Sequence, residues 1–394
     1  MTETARSNRY HIAVFGRRNA GKSSLVNTLV GQDVSIVSDV AGTTTDTVWK
    51  NIELPGIGAA VIADTAGFDD EGSLGAMRVE AARKVLARAD LALLLIGDSD
   101  DYTMEKGWYD DALKRQLPVL LVAGKCDMEG SAGRLEKLRH AFGDDILPFS
   151  AITGEGCNGL LERMASLYAK DDNLDDITYT LVKRGDVVVL VMPQDASAPK
   201  GRLIQPQVQT LRNLLDKHCI PLCCAPEELP SLLQTLVAPP QLIITDSQVF
   251  PQVEKLVPEG TRLTSFSVLM ARHKGDIDTF LKGAEALRAM PPNGRVLIAE
   301  ACSHIPQNED IGRVKLPRLL RNKLGEELNI DIVSGNDFPE ELVGYDLVIH
   351  CGACMFNRRT VLSRVRQAKA QGVPITNYGI AIAALNGILE RVSV

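Results

Sequence analysis

Gly16-Arg17-Arg18-Asn19-Ala20-Gly21-Lys22-Ser23 fits the phosphate-loop pattern G-x-x-x-x-G-K-S/T, and its flanks give the pattern weight. Before it runs His11-Ile12-Ala13-Val14-Phe15, a short apolar segment of strand formers. After it, Leu25, Val26 and Leu29 recur at helical spacing. Strand, glycine loop and helix N-terminus together present backbone N–H groups to a phosphate chain. Gly16, Asn19, Ala20, Gly21, Lys22, Ser23 and Ser24 are the expected contacts. Lys22 is expected to reach the β- and γ-phosphates, and the Ser23 hydroxyl to ligate Mg²⁺.

Outward from this loop, apolar strands alternate with amphipathic helices as far as about Ala169, which predicts a doubly wound, mostly parallel α/β sheet. Strands are expected at 59–63, 91–96, 119–123 and 146–149, the last cut short by Pro148, and helices at 73–89 and 158–168. The acidic stretch 170–176 reads as a linker. Two smaller α/β domains are expected beyond it, giving domains 1–170, 171–266 and 267–394. The middle one has strands at 187–191, 221–224, 241–245 and 262–265, a helix at 205–217 and no catalytic constellation. In the last, strands at 295–301, 346–349 and 374–376 separate helices at 316–328, 359–371 and 380–392. The sequence displays no internal repeat.

A chain of 394 residues, 45% apolar and 24% charged, is long enough for two or three buried cores. Its net charge of −7 offers no basic face for nucleic acid, and no apolar run reaches membrane-spanning length. The polar first ten residues lack a signal-peptide core, so the chain reads as cytoplasmic, with no nucleic-acid or membrane partner expected. In that compartment the eight cysteines are expected as thiols, metal ligands or redox groups.

Three later stretches choose between adenine and guanine nucleotides. Asp64-Thr65-Ala66-Gly67 follows a strand, placing a carboxylate for Mg²⁺ and the Gly67 N–H for a γ-phosphate. Gly124-Lys125-Cys126-Asp127 ends another strand, and Asp127 there accepts from the N1 and N2 donors of guanine, which adenine does not offer. Ser150-Ala151 follows the last strand, where a backbone N–H reaches guanine O6. Order and separations resemble the translation-factor class of small GTPases. By that resemblance Thr44, in Ala41-Gly42-Thr43-Thr44-Thr45-Asp46, also ligates Mg²⁺. Lys22, Thr44, Asp64 and Gly67 are the expected catalytic set, with Lys125, Asp127, Ser150 and Ala151 around the base.

Two departures stand out. Gly124 occupies the place of the asparagine in Asn-Lys-x-Asp, which removes a base contact and a tether to the phosphate loop, costing about 1–3 kcal/mol. Phe68 occupies the place of a water-orienting glutamine, so hydrolysis is expected to be slow. Asn19 resembles the asparagine with which potassium-dependent GTPases hold K⁺, a charge that elsewhere comes from an arginine finger; an ordinary turn residue is the other reading. Asp69, Asp70 and Glu71 are either water-orienting carboxylates or a solvated loop.

Near the C-terminus, Cys302-Ser303-His304 and His350-Cys351-Gly352-Ala353-Cys354 each follow a buried-looking strand. Ligands gather at the carboxyl ends of parallel strands, so neighbouring ends bring Cys302, Cys351 and Cys354 together. Three thiolates suit a [4Fe–4S] cluster with His304 or His350 as fourth ligand or supporting donor, and a Cys₃His set equally suits zinc. Spacing leaves iron–sulfur, zinc and no metal open. Cys126, Cys157, Cys219, Cys223 and Cys224 read as small buried thiols.

A phosphate-loop GTPase followed by a small α/β unit and a C-x-H…H-C-x-x-C unit resembles the HydF family of [FeFe]-hydrogenase maturation GTPases, over essentially the whole chain. The resemblance implies GTP/GDP and Mg²⁺ binding, slow and potassium-stimulated hydrolysis, a homodimer made by the middle unit, and a [4Fe–4S] cluster on three cysteines with an exchangeable fourth position. It further implies a scaffold or carrier that takes a di-iron precursor from radical-SAM maturases to the apo-[FeFe]-hydrogenase. A tRNA- or ribosome-linked GTPase with a structural zinc module is the alternative.

Overall fold

The computed structural model describes residues 9–31, 39–40, 48–65, 67, 72–169, 176–194, 201, 203–301, 311–335, 337–353 and 356–394. They form two compact units, Met1–Asp172 and Asn173–Val394.

In the first unit β1 (Tyr10–Phe15) leads through the glycine loop into α1 (Lys22–Gly31). There follow β2 (Asp39–Val40), β3 (Val48–Leu54), β4 (Gly58–Asp64), α2 (Gly72–Leu86), β5 (Leu91–Ile96), α3 (Thr103–Lys114), β6 (Val119–Ala123), α4 (Ser131–Phe142), β7 (Ile146–Pro148) and α5 (Cys157–Ala169). The sheet order is β2-β3-β4-β1-β5-β6-β7. β4, β1, β5, β6 and β7 run parallel, whereas β2–β3 and β3–β4 pair antiparallel. β1 and β5 are buried along their whole length, as continuous apolar runs flanked by helices should be. The antiparallel pair escapes the sequence reading because β3, Val-Trp-Lys-Asn-Ile-Glu-Leu, mixes charged and apolar residues like an edge. β7 is short, as Pro148 predicts.

The second unit contains β8 (Val187–Val191), α6 (Gln205–Asp216), β9 (Ile220–Cys224), α7 (Leu229–Thr235), β10 (Leu242–Thr245), α8 (Phe250–Glu254), β11 (Arg262–Ser265), α9 (Phe266–Lys274) and α10 (Ile277–Glu285). It continues with β12 (Arg295–Glu300), α11 (Leu316–Leu324), β13 (Asn329–Ser334), β14 (Leu347–His350), α12 (Arg358–Ala370), β15 (Ile375–Asn377) and α13 (Tyr378–Leu385). Its two sheets have orders β11-β10-β8-β9 and β13-β12-β14-β15, with parallel pairs. In each, the second strand lies on one side of the first and the third and fourth on the other. Both sheets thus share one topology, a duplication of architecture without a legible sequence repeat.

Two helix expectations are corrected. α11 stops at Leu324 because Gly325 takes φ +129, and 329–334 is the strand β13 rather than the end of a helix and a loop. α13 stops at Leu385, ahead of Gly387 with φ +72. α9 packs against α6, β11, α12 and α13. One apolar cluster holds Val189, Val191 and Ile243 of the first sheet together with Val296, Ile298 and Val348 of the second.

Candidate functional site

In the first unit the glycine loop curls against β5. A Cβ on Gly16 would stand 2.4 Å from the Leu95 carbonyl oxygen, so only glycine permits that approach. Gly21 takes φ +101 and Asn19 φ +60, positive-φ turns of the kind from which loops build anion-binding nests of N–H groups. Lys22 is buried, its Nζ donating to the carbonyl oxygens of Gly16 at 3.0 Å and Arg17 at 2.8 Å. Ser23, at the start of α1, donates its hydroxyl to Asp64 Oδ2 at 2.6 Å, at the end of β4. Asp64 Oδ1 is buried and makes no hydrogen bond among the described residues. An orphaned carboxylate oxygen beside a hydroxyl fits a hard divalent cation such as Mg²⁺.

The base side is built at the ends of β6 and β7. Cys126 N donates to the Phe149 carbonyl at 3.1 Å, and Phe149 N to that of Ala123 at 2.9 Å, tying the two loops together. Ser150 is fully buried, and its Oγ donates to Asp127 Oδ1 at 2.6 Å while accepting from the N–H groups of Ile152 and Thr153 at 3.2 Å. This chain of bonds orients the Asp127 carboxylate. Lys125 Nζ pairs with Asp98 Oδ1 at 2.9 Å, and that bond is the first of the causes holding the Asp98 carboxyl below its ordinary value. Thr28 Oγ1 of α1 donates to the Ala151 carbonyl at 3.4 Å. Thr44, Phe68, Asp69, Asp70 and Glu71 lie outside the described residues.

Sequence reasoning overlooks Arg17. Its guanidinium grips Glu105 of α3, with Nε to Oε1 at 2.7 Å and Nη2 to Oε2 at 3.0 Å, and Glu105 is only 1% exposed. An arginine inside the loop signature was the available signal; its partner 88 residues on had none.

In the second unit the strand order reverses between β12 and β14, which places a topological switch point at their carboxyl ends. Cys351 lies there, and its Sγ accepts from Ala301 N at 2.9 Å and Ala353 N at 3.4 Å. Amide donors aimed at a sulfur favour its thiolate, the form that ligates metal. Cys302, His304 and Cys354 lie outside the described residues, and no metal-holding cluster is formed among the described ones. Ala301, whose amide meets Cys351 Sγ, immediately precedes Cys302 in sequence.

His350, expected as fourth ligand or supporting donor, has both ring nitrogens engaged within the protein. Arg364 Nη1 meets Nε2 at 3.0 Å, and since a guanidinium only donates, Nδ1 carries the proton and donates to the Cys351 carbonyl at 2.8 Å. Burial, then the Arg364 charge, pushes the His350 pKa down to about 3. Arg364 itself is buried between the rings of Phe338 and Phe356, each 4.6 Å away.

More residues, invisible as motifs, hold this loop. Lys274, 5% exposed on α9, donates to the carbonyl oxygens of Ala353 and Phe356, each at 3.0 Å. Asn377 Nδ2 donates to the Cys351 carbonyl at 3.2 Å, and Arg358 Nε to that of His273 at 3.1 Å. Ala353 takes φ +53, a turn unusual for a residue with a Cβ. The buried cations Lys274 and Arg364 give the loop a positive setting that suits an anionic thiolate cluster. Of the remaining cysteines, Cys157, Cys219 and Cys224 are buried as expected, whereas Cys223 is exposed on the edge strand β9 and Cys126 is half-buried.

Comparison with known proteins extends this picture over the whole chain. The family model of a 50S ribosome-binding GTPase matches residues 11–125. That of the hydrogen maturase F dimerization domain matches 177–275, and that of the hydrogen maturase F tetramerization domain matches 278–393. This chain belongs to the hydrogen maturase F family. It thus pairs a GTPase domain with the two self-association domains of hydrogen maturase F. Outside the family, the tRNA modification GTPase MnmE of Xanthomonas euvesicatoria pv. vesicatoria is 38% identical over 170 residues, 42% of this chain and 35% of the relative. MnmE of Chromobacterium violaceum is 35% identical over 158 residues, 40% of this chain and 34% of the relative. The chain therefore spans about a third of the length of these curated relatives. Among solved structures, Aquifex aeolicus Era bound to GDP and AlF4⁻ is 21% identical over 55% of this chain and 92% of that one, with a TM-score of 0.34. The G domain of the T. maritima FeoB iron transporter is 23% identical over 41% and 99%, with a TM-score of 0.31. No helix among the described residues is long and apolar enough to cross a membrane.

Proposed function

We propose that this hydrogen maturase F chain hydrolyses GTP and carries a [4Fe–4S] cluster on Cys302, Cys351 and Cys354, serving as scaffold or carrier that delivers the di-iron precursor to the apo-[FeFe]-hydrogenase. The observation that carries the cluster reading is Cys351 Sγ at the switch point, receiving the amide of the residue that precedes Cys302. Domain 1–170 binds GTP and Mg²⁺, 171–266 makes a homodimer, and 267–394 holds the cluster. Ser23, Asp64 and Thr44 are the proposed Mg²⁺ ligands, with Lys22 and the Gly67 N–H on the γ-phosphate and Asp127, Lys125, Ser150 and Ala151 around guanine. A bound cluster supplies an iron position open to exchangeable ligands. Around it this chain's own residues set the conformation of the thiol loop and surround it with positive charge. His304 is the proposed fourth ligand, and His350 a supporting donor through its bond to the Cys351 carbonyl. Asn19 is proposed to hold K⁺ beside the phosphates, and GTP turnover to tune association with the radical-SAM maturases and the hydrogenase. The tRNA-linked alternative is set aside because the MnmE likeness covers 42% of the chain, while the remainder matches hydrogen maturase F.

Purification without air, followed by assay of iron, acid-labile sulfide and zinc per chain and an EPR spectrum after reduction, tests the cluster. Equal iron and sulfide, lost together in Cys302→Ala, Cys351→Ala or Cys354→Ala, is the expected result; stoichiometric zinc without sulfide overturns it. GTPase rates in K⁺ and Na⁺ test Asn19, and equal rates remove its proposed role.

A further inference from the structure

In guanine-binding loops of the Asn-Lys-x-Asp type the asparagine side chain ties the loop to the phosphate loop. Gly124 has no side chain with which to do so. The backbone there nevertheless runs close to its neighbours: a Cβ on Gly124 would stand 3.0 Å from Leu95 Cδ1 and 3.3 Å from the Ala20 carbonyl oxygen. A different residue grips the loop. Arg134, in the first turn of α4, sends Nη2 to the carbonyl oxygens of Gly124 at 2.6 Å and Lys125 at 3.0 Å. These are its only side-chain hydrogen bonds among the described residues, for its Nε is buried without a partner.

What the arginine grips matters for the base. Lys125 takes φ +56, a left-handed conformation that a residue with a Cβ adopts only when its surroundings enforce it. Gly124 N donates to the Ile96 carbonyl at 2.9 Å, and Lys125 Nζ reaches Asp98 at 2.9 Å. With Arg134 on the two carbonyls, the Gly124–Lys125 segment is held at the Gly124 N–H, at both carbonyls and at the Lys125 ammonium. Two residues further on, Asp127 is exposed, with its described side-chain bond to Ser150. A charged planar group on two successive carbonyls is a strong and geometrically selective clasp.

We propose that Arg134 is a positioning residue for guanine recognition: by clasping the Gly124 and Lys125 carbonyls it replaces the tether of the absent asparagine and keeps Asp127 aimed at the base. The inference rests on the guanine-nucleotide reading above.

The test is calorimetric titration of the full chain with GDP and with ADP, in wild type, Arg134→Ala, Arg134→Lys and Arg134→Ala combined with Gly124→Asn. Wild type should prefer GDP. Arg134→Ala should lose about tenfold or more in GDP affinity, the loss expected from one charge-assisted clasp, with ADP affinity unchanged. Arg134→Lys, which keeps the charge on a shorter side chain without the planar guanidinium, should fall between. Gly124→Asn in the Arg134→Ala chain should recover the preference, because its amide comes within reach of the phosphate loop. A preference untouched by Arg134→Ala overturns the inference alone. Equal loss of GDP and ADP affinity with a lowered Tm also overturns it, marking Arg134 as merely structural. A wild type that binds GDP and ADP equally overturns the guanine reading and the inference with it.

Discussion

Replacing Lys274 by Met tests how the thiol loop is held. The Lys274 ammonium is almost wholly buried and donates to two carbonyls, Ala353 and Phe356, at 3.0 Å each. A hydrogen bond to a charged group contributes about 1.5–3 kcal/mol, so the pair is worth roughly 3–6 kcal/mol before desolvation. Met spares the burial of a charge, which costs several kcal/mol, but leaves two carbonyls without their donor at about 1–3 kcal/mol each. The balance is a loss of roughly 2–4 kcal/mol, borne by the segment 351–356 rather than by the sheets. Cys351 reports on that segment because its Sγ takes the Ala353 amide. In the metal-free, reduced full chain, alkylation of Cys351 followed by peptide mass spectrometry should quicken about 30-fold or more in Lys274→Met, since each 1.4 kcal/mol is about tenfold. Cys219, 6% exposed in the same unit, serves as the control and should label at its wild-type rate. An unchanged Cys351 rate refutes the reasoning. A parallel rise at Cys219 also refutes it, because the whole unit would then be opening.

Three further outcomes are expected. Arg17→Met leaves the buried Glu105 carboxylate unpaired and should cost the first unit about 3–5 kcal/mol in thermal unfolding, whereas adding Glu105→Leu should recover most of it; equal losses would show that the pair is not coupled. Burial, then the charges of Lys274 and Arg358, lowers the His273 pKa to about 4, so its contribution to stability is complete above pH 6.5 and is lost as pH falls from there toward 4. Urea midpoints at pH 7 and 5 should reveal about 1–2 kcal/mol of this loss, absent in His273→Gln; an identical pH slope in that variant would exclude the effect. Asp64→Asn should lower GTP hydrolysis about 100-fold or more while GDP binding in the presence of a chelator persists, and an undiminished rate at saturating Mg²⁺ would remove Asp64 from the metal site.

Much of this molecule is written locally. The phosphate loop is legible because one tight turn needs glycine at positions 16 and 21 and a lysine and hydroxyl beside them, all within eight residues. Continuous apolar runs such as Leu91–Ile96 announce buried parallel strands for the same reason, since burial on both faces leaves no polar position. β3 and β13 were not legible because both mix charged and apolar residues, β13 at the edge of its sheet and β3 next to the two-residue edge strand β2, and α11 was read too long because helical spacing continues past the glycine that ends it.

The sequence by itself determined the nucleotide loop, the alternation of buried strands with helices and the positions of the thiols. Only the tertiary structure decided which groups serve them. Lys274 and Ala353 are 79 residues apart, Arg17 and Glu105 88, and Ala301 and Cys351 50. Such pairs leave no periodic trace, because each is made by the strand order that brings distant ends together. His350 illustrates the difference most plainly: beside a cysteine it reads as a ligand or supporting donor, and only folding gives its two nitrogens the Cys351 carbonyl and Arg364 as partners, since a buried polar ring must find its partners inside.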